Sequence, residues 1–315
     1  MIFIPQLILI SWSVTTTVGP QVSGHCTATS DQHLYLFGGL LGSAGSKTTE
    51  DFWSFDGNQW NKINAKNRIC PSRRMYAASA MLNNSFYLFG GWDPGKRASG
   101  GNFKDDIWKF DLDTESWSEL YSMENTVSRH SACTVDNKII LHTFRGIYVL
   151  DDTQIKFQET IGDAPDDLSM CSVNTINNTI VVISGSNRYQ EMSNDLFTLN
   201  TKTWKWTKTS LDIKPRSSAV SAVFNETSII MFSGGTLHDD GYDGGHGLID
   251  LDDTYLITFE NDKFKSIKLL DNELSYIPEG RVASSLNKLG DSLILQGGWS
   301  PSTKETFKNT VIFSL

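Results

Sequence analysis

The chain has 315 residues, 39% of them hydrophobic, and its 36 acidic side chains against 27 Lys and Arg leave a formal net charge of −9. That length and apolar content suffice for one sizeable core, while the acidic balance excludes nucleic acid as an expected partner, because sequence-independent binding needs a basic stripe. No apolar run approaches the roughly 18 residues that cross a bilayer, so no membrane span is expected.

The first stretch, Met1 to Ile10, is apolar enough to suggest a secretory leader. It has no basic start, it contains Pro5 and Gln6, and no small-residue cleavage site follows. A structural role fits better. Trp12 stands 26 residues before Gly38, much as Trp206 stands 28 before Gly234, so residues 5–15 occupy the place of a fourth strand. The chain ends on Val311-Ile312-Phe313-Ser314-Leu315, a strand with nothing after it to pair with. The N-terminal segment is therefore expected to complete the last unit. On this reading the protein is cytoplasmic; if residues 1–19 were a leader, it would be secreted.

Short apolar runs then follow one another along the chain. Cys26–Thr29, Leu34–Phe37, Phe52–Phe55 and a run near Trp60 form a first set. The second is the clearest: Arg74 to Leu82, Phe86-Tyr87-Leu88-Phe89-Gly90-Gly91, Asp106-Ile107-Trp108-Lys109-Phe110 and Ser116-Trp117-Ser118. Each run is four to eight residues long, rich in β-formers and bounded by Asn, Gly, Pro or Asp, which fits strands and not helices. Four in a row make one antiparallel sheet. The unit recurs with an apolar strand closing on Phe37-Gly38-Gly39, Phe89-Gly90-Gly91, Ser184-Gly185, Ser233-Gly234-Gly235 and Gln296-Gly297-Gly298. Between Gly90 and Gly185 there is room for one degenerate member, Arg129 to Asp151, where Leu141-His142-Thr143-Phe144-Arg145-Gly146 replaces the diglycine. Six units result, spanning about residues 22–62, 71–120, 127–160, 165–208, 215–268 and 281–315 plus 5–15.

Diglycine after an apolar strand, then an aromatic strand, then Trp, at a period near fifty, resembles the kelch repeat, the blade of a kelch-type β-propeller. The resemblance covers essentially the whole chain and implies an all-β, six-bladed, monomeric ring. Its physical basis is that a lone twisted sheet has two apolar faces, and radial stacking buries each against a neighbour.

Connections alternate between the two ends of a propeller, so second-to-third strand loops and inter-blade segments share one face. Those loops are long: Leu40–Glu50, Trp92–Lys104, Asn187–Asn194, Thr236–Asp252 and Trp299–Lys308. Long loops on a rigid frame carry binding function. Arg74, Arg216 and Arg281 recur in one register ahead of first strands, with Arg129 close to it. At a rim they would capture acidic groups of a protein partner; the alternative is pairing with a neighbouring blade's Asp106, Asp195 or Asp253. Trp92 and Trp299, each following a diglycine, would offer flat apolar contacts.

Other motifs carry less. His238-Asp239-Asp240-Gly241-Tyr242-Asp243-Gly244-Gly245-His246 lacks the alternating carboxylates of a calcium loop, so no metal and no cofactor is expected. The four cysteines have no metal-ligand spacing, and Cys26, Cys133 and Cys171 fall in first strands as small packing residues. Three sequons, at Asn83, Asn177 and Asn225, all fall in the turn joining first and second strands, where Asn is favoured without any glycan. Resemblance to galactose oxidase would require Tyr and His copper ligands, and no such set is assignable among His25, His33, His130, His142, His238 and His246. Resemblance to nitrile-specifier proteins would require a Glu-x-x-x-Asp-x-x-x-His run; Glu191 and Asp195 fit, but Leu199 stands in place of the His. The reading is a non-enzymatic protein-interaction module, with a sugar- or small-molecule-acting enzyme in the central funnel (specifier-, epimerase- or oxidase-like) as the alternative.

Overall fold

The computed structural model describes residues 11–42, 47–95, 101–151, 154–237, 247–260, 263–269 and 277–314. Six sheets are arranged as the blades of a propeller, each with its four principal strands antiparallel to their neighbours. Blade one is built from Cys26–Thr29, Leu34–Phe37, Phe52–Phe55 and Trp60–Ile63, paired in that order. Blade two uses Ala78–Leu82, Ser85–Asp93, Asn102–Asp111 and Ser116–Ser122, and blade three Ser131–Val135, Lys138–Thr143, Gly146–Leu150 and Ile155–Gln158. In blade four, Ser172–Ile176, Thr179–Ser186, Met192–Asn200 and Lys205–Ser210 gain a fifth, parallel strand, Ile161–Gly162, at the outer edge. Blade five holds Val220–Asn225, Ser228–Phe232, Thr254–Glu260 and Lys263–Leu269.

Local chemistry explains the turns. Asn83 and Asn84 have φ of 48° and 55°, and Asp136 and Asn137 have 47° and 59°. Two consecutive left-handed residues make the primed turn whose twist matches that of a hairpin, and Asn and Asp tolerate it.

The core is not one mass but a set of packs between blades. Blade two's Trp117 crosses to blade one, its ring 5.2 Å from Phe52 and 5.6 Å from Phe37. Trp206 of blade four lies in the same way among Ile140, Ile147 and Leu168 on the blade-three side. At the seam between blades six and one the fully buried apolar residues among those described are Leu34, Phe55 and Ile294.

That seam is where the chain closes. Blade six consists of Ser285–Leu289, Ser292–Gln296, Asn309–Ser314 and the N-terminal strand Ser11–Val18, which pairs antiparallel with Asn309–Ser314 through Trp12 opposite Phe313 and Val14 opposite Val311. A hydrogen-bond chain adds to this apolar contact. Trp60 Nε1 donates to Thr310 Oγ1 at 2.8 Å, the Thr310 hydroxyl donates to Gln296 Oε1 at 2.7 Å, and Gln296 Nε2 donates to the Pro20 carbonyl at 2.9 Å. Removing residues 1–18 takes away the fourth strand and leaves Pro20, the acceptor end of this chain, next to a free terminus. The expected outcome is a fall in melting temperature of on the order of 10 °C or more, read by calorimetry; an unchanged melting temperature would show that the closing strand adds nothing.

Candidate functional site

The long-loop face is organised by one residue per blade at the mouth of the central channel. Gly24, Tyr76, Arg129, Met170, Ser218 and Ala283 all lie in the left-handed region, with φ between 53° and 63°. Each precedes its blade's first strand by two residues. Their backbones join hand to hand around the channel. Tyr76 N–H donates to the Gly24 carbonyl, Arg129 to Tyr76, Met170 to Arg129, Ser218 to Met170, and Gly24 to Ala283, at 2.6 to 3.0 Å.

A second set of links lies two residues upstream. The backbone N–H groups of Gly39, Gly91, Gly185, Gly234 and Gly298 donate to the carbonyls of Arg74, Val127, Arg216, Arg281 and Val22 in the next blade, at 2.8 to 3.2 Å. The donors have φ from 95° to 121°, a range closed to ordinary side chains. A Cβ on Gly298 would also meet Ser284 Cβ at 2.7 Å and the Val282 carbonyl at 3.0 Å. This corrects the register of the repeat. Gly185 and Gly234 are the second glycine of the pair and not the first, and the first place is taken by Ser184 and Ser233, with φ of 57° and 63°.

The arginines fall on this frame. Arg74 and Arg216 have fully buried side chains and Arg281 is 3% exposed. Each Nε donates to the carbonyl two residues back, of Ser72, Lys214 and Glu279, and each Nη1 donates to the second-strand carbonyl of Gly90, Ser233 and Gly297. Arg74 and Arg216 complete the set with paired bonds to Asp106 and Asp253, whose second contacts are 2.8 Å. These carboxylates are on the arginines' own blades, not on a neighbour's. Burial raises the Asp106 carboxyl, and the Arg74 bond and charge outweigh it to leave its pKa low. Arg281 stacks on Phe307, 3.8 Å from the ring centre. Asp195 pairs instead with Lys208 at 2.8 Å. These three arginines therefore lie within the frame rather than on the rim.

Arg129 differs. It sits at the mouth position itself, half-buried, with its guanidinium 5.0 Å from the Tyr76 ring centre and 5.5 Å from that of Trp92. Among the described residues it makes no ion pair. Trp92 is half-buried and stacked on Phe103 at 5.8 Å, so the ring with an open edge to solvent is Phe103, 44% exposed. Trp299 is half-buried beneath Lys304, at 5.5 Å. Neither tryptophan offers the bare flat face expected of it.

The loops around the mouth are tied to one another. Asp250 of blade five accepts from Ser300 and Ser302 of blade six, Thr306 donates to the Gly42 carbonyl of blade one, and Thr48 donates to Asp93 of blade two, which also pairs with Arg73. The result is a crescent over blades five, six, one and two. Over blade three the connection is only the tight Thr143–Gly146 turn, so the crescent is open beside Arg129. Below the mouth a cavity of about 160 Å³ is bordered by Tyr76, Arg129, His25, His130 and Ser284.

Burial keeps His25, His130, His142, Cys26, Cys133 and Cys171 uncharged at neutral pH. Burial lowers His25 and His142 to about 4 and His130 to about 3, the last with help from neighbouring His142. Burial likewise pushes the Cys26 and Cys171 thiols up to about 12 and Cys133 to about 11. Leu199, the position a specifier iron site would give to His, is fully buried in the core. The His238–His246 stretch lies outside the described residues. Tyr76 and Phe103 were not distinguishable in the sequence as site residues; the signal for Tyr76 was its register, two before a first strand and equivalent to Arg129.

Comparison with known proteins agrees with this geometry. A family model, the KLHDC2/KLHL20/DRC7 Kelch-repeats domain, matches residues 6–146. Among curated proteins, Acyl-CoA-binding domain-containing protein 4 of Arabidopsis thaliana is 25% identical over 217 residues, 61% of this chain and 31% of that protein. Host cell factor 2 of Homo sapiens is 29% identical over 133 residues, 36% and 16% of the respective chains. The tRNA wybutosine-synthesizing protein 4 of Candida glabrata is 24% identical over 231 residues, 67% and 33%. The matched regions thus cover a third or less of these relatives' lengths. A solved structure described as "Structure of YjhT" superposes with a TM-score of 0.72, covering 96% of both chains at 15% identity, which establishes likeness of fold. Residues 6–146 thus resemble kelch repeats, and the fold is that of a six-bladed kelch-type β-propeller.

Two measurements check the frame. Asp106→Ala leaves the Arg74 guanidinium buried without its carboxylate and is expected to cost about 3–5 kcal/mol, read from denaturant midpoints; a loss below about 1 kcal/mol would remove the pair from the frame. The buried histidines set an acid limit. Their folded pKa values lie below the ordinary 6.5, so the unfolded chain binds protons first, and stability present above pH 6.5 is lost as pH falls toward 4. Each contributes on the order of 3 kcal/mol over that window. His130→Leu should flatten the fall between pH 6.5 and 4; an unaltered slope would show that His130 titrates normally in the folded chain.

Proposed function

We propose that the protein is a binding module for another protein, which it engages through the long-loop face at the mouth of the propeller. One observation carries this reading: Arg129 holds a guanidinium between the Tyr76 and Trp92 rings, half-exposed and without an ion pair among the described residues. A cation whose position is fixed by aromatic stacking is preorganised, and less side-chain entropy is lost when it meets an acidic group. Arginine flanked by aromatic rings is also the composition of an interface anchor. The open side of the crescent, over blade three, gives a partner's chain a way to the mouth, and exposed Phe103 supplies apolar contact beside the charge.

The reading assigns the specific contact to Arg129, Tyr76, Trp92 and Phe103, and assigns Arg74, Arg216 and Arg281 to the support beneath them. Its test is a quantitative pull-down from native lysate with wild type and Arg129→Glu, both first shown to melt alike. Partners that bind wild type saturably and lose about tenfold or more in the variant, with binding weakened by salt, are the expected outcome. Identical partner sets in the two proteins would overturn the assignment. A small molecule that raises the melting temperature of both equally, in the absence of any protein partner, would favour a ligand site in the funnel instead.

A further inference from the structure

A cavity of about 590 Å³ lies away from the mouth. It lies on the opposite face, between the outer halves of blades four and five, and its size is that of a ligand site. Its blade-four wall follows from strand alternation. Along Lys205–Ser210, Trp206 points into the core toward blade three, so Lys205, Thr207 and Thr209 face blade five. Thr198, directly opposite Thr207 on the neighbouring strand, and Thr179 continue this surface. Blade five contributes Phe259 and Phe264, with ring centres 4.8 Å apart and Phe259 38% exposed.

Farther in, blades four and five close on each other with aliphatic and aromatic side chains, as the other facing blades do. In the groove one wall carries hydroxyls and the other carries phenyl rings. Hydroxyls donate and accept, so they match a ligand whose own groups do both. Phenyl faces cover C–H surface. Lys205 and Glu226, opposite in sign, are the charged residues of the lining. A polyhydroxylated, uncharged ring compound satisfies all three features. Two of the sequons also open onto the groove: Asn177 and Thr179 line it from one, Glu226 and Thr227 from the other. Asn177 and Asn225 are both exposed, and Asn225 Oδ1 accepts from the Thr227 N–H at 3.0 Å and from its hydroxyl at 3.3 Å.

We propose that the groove between blades four and five seats a neutral saccharide, supplied either by an N-glycan on Asn177 or Asn225 of the same chain or by a free oligosaccharide. The inference is independent of the protein-binding reading, since no residue is shared with the mouth.

The test has two arms. In the first, the chain is secreted from a glycosylating host, and its mass is compared before and after enzymatic deglycosylation and in Asn177→Gln and Asn225→Gln. Occupied sites whose sugar protons show NMR contacts to the Phe259 and Phe264 rings identify the chain's own glycan as the occupant. In the second, unglycosylated protein from a bacterial cytoplasm is titrated with maltotriose, cellotriose, mannotriose and chitotriose and followed by saturation-transfer NMR. Binding that weakens about fivefold or more in Thr207→Val and in Phe264→Ala, with each variant melting within a few degrees of wild type, identifies a free saccharide. If no trisaccharide binds, or binding is unchanged in both variants, and no glycan touches the phenyl rings, the proposal is overturned.

Discussion

The ring depends on a carbonyl. In five of the six blade junctions the second glycine of one blade donates its N–H to the backbone carbonyl two residues before the next blade's mouth residue. Where that residue is arginine, its side chain turns the other way and holds its own blade's second strand, so one residue clasps two successive glycine sites. Arg74 accepts from Gly39 and donates to Gly90; Arg216 accepts from Gly185 and donates to Ser233; Arg281 accepts from Gly234 and donates to Gly297. The glycine is required because its φ near 100° presents the N–H outward at a place where a Cβ would strike the adjoining backbone. The arginine is required because one guanidinium can reach a carbonyl, a second carbonyl and a carboxylate in fixed geometry. Burying that charge is tolerable only because all of its sides are answered.

Closure poses a different problem. A radial stack has two ends, and joining them gives no loop to hold the last blade against the first. The junction between blades six and one packs Leu34, Phe55 and Ile294 and adds a chain of side-chain hydrogen bonds from Trp60 through Thr310 and Gln296 to Pro20. Directional bonds set the register where apolar packing, which is non-directional, would leave it loose. The paired strand Ser11–Val18 then makes the closure a continuation of the sheet.

Much of this was legible in the sequence because the information is local. Strand length, turn residues and the recurring glycines fix a four-stranded unit without reference to anything distant, and the absent final strand pointed to the N-terminal segment. What was not legible needed a direction in space. The same Arg register fits a rim and a frame equally well, because it specifies a backbone position and not which way four methylenes and a guanidinium turn. The glycine register slipped by one in blades four and five, since serine can take φ near 60° at the first place and the sequence shows only one obligatory glycine there. Tyr76 and Arg129 share the mouth position with Gly24, Met170, Ser218 and Ala283, six different residues whose equivalence lies in the backbone alone.

That equivalence explains how side chains can vary on a frame so tightly determined. The mouth position constrains φ and the N–H and carbonyl, and leaves the side chain unspecified. The carbonyl position two residues earlier constrains backbone and, in three blades, side chain as well. A cation introduced at the earlier position is drawn into the frame and lost to solvent, as in Arg74 and Arg216; the same cation two residues later, as in Arg129, remains at the channel mouth against the Tyr76 and Trp92 rings. The frame thereby supplies rigid anchorage for five side chains and one glycine around one opening. In this chain the charged member, Arg129, stands where the loop crescent is open.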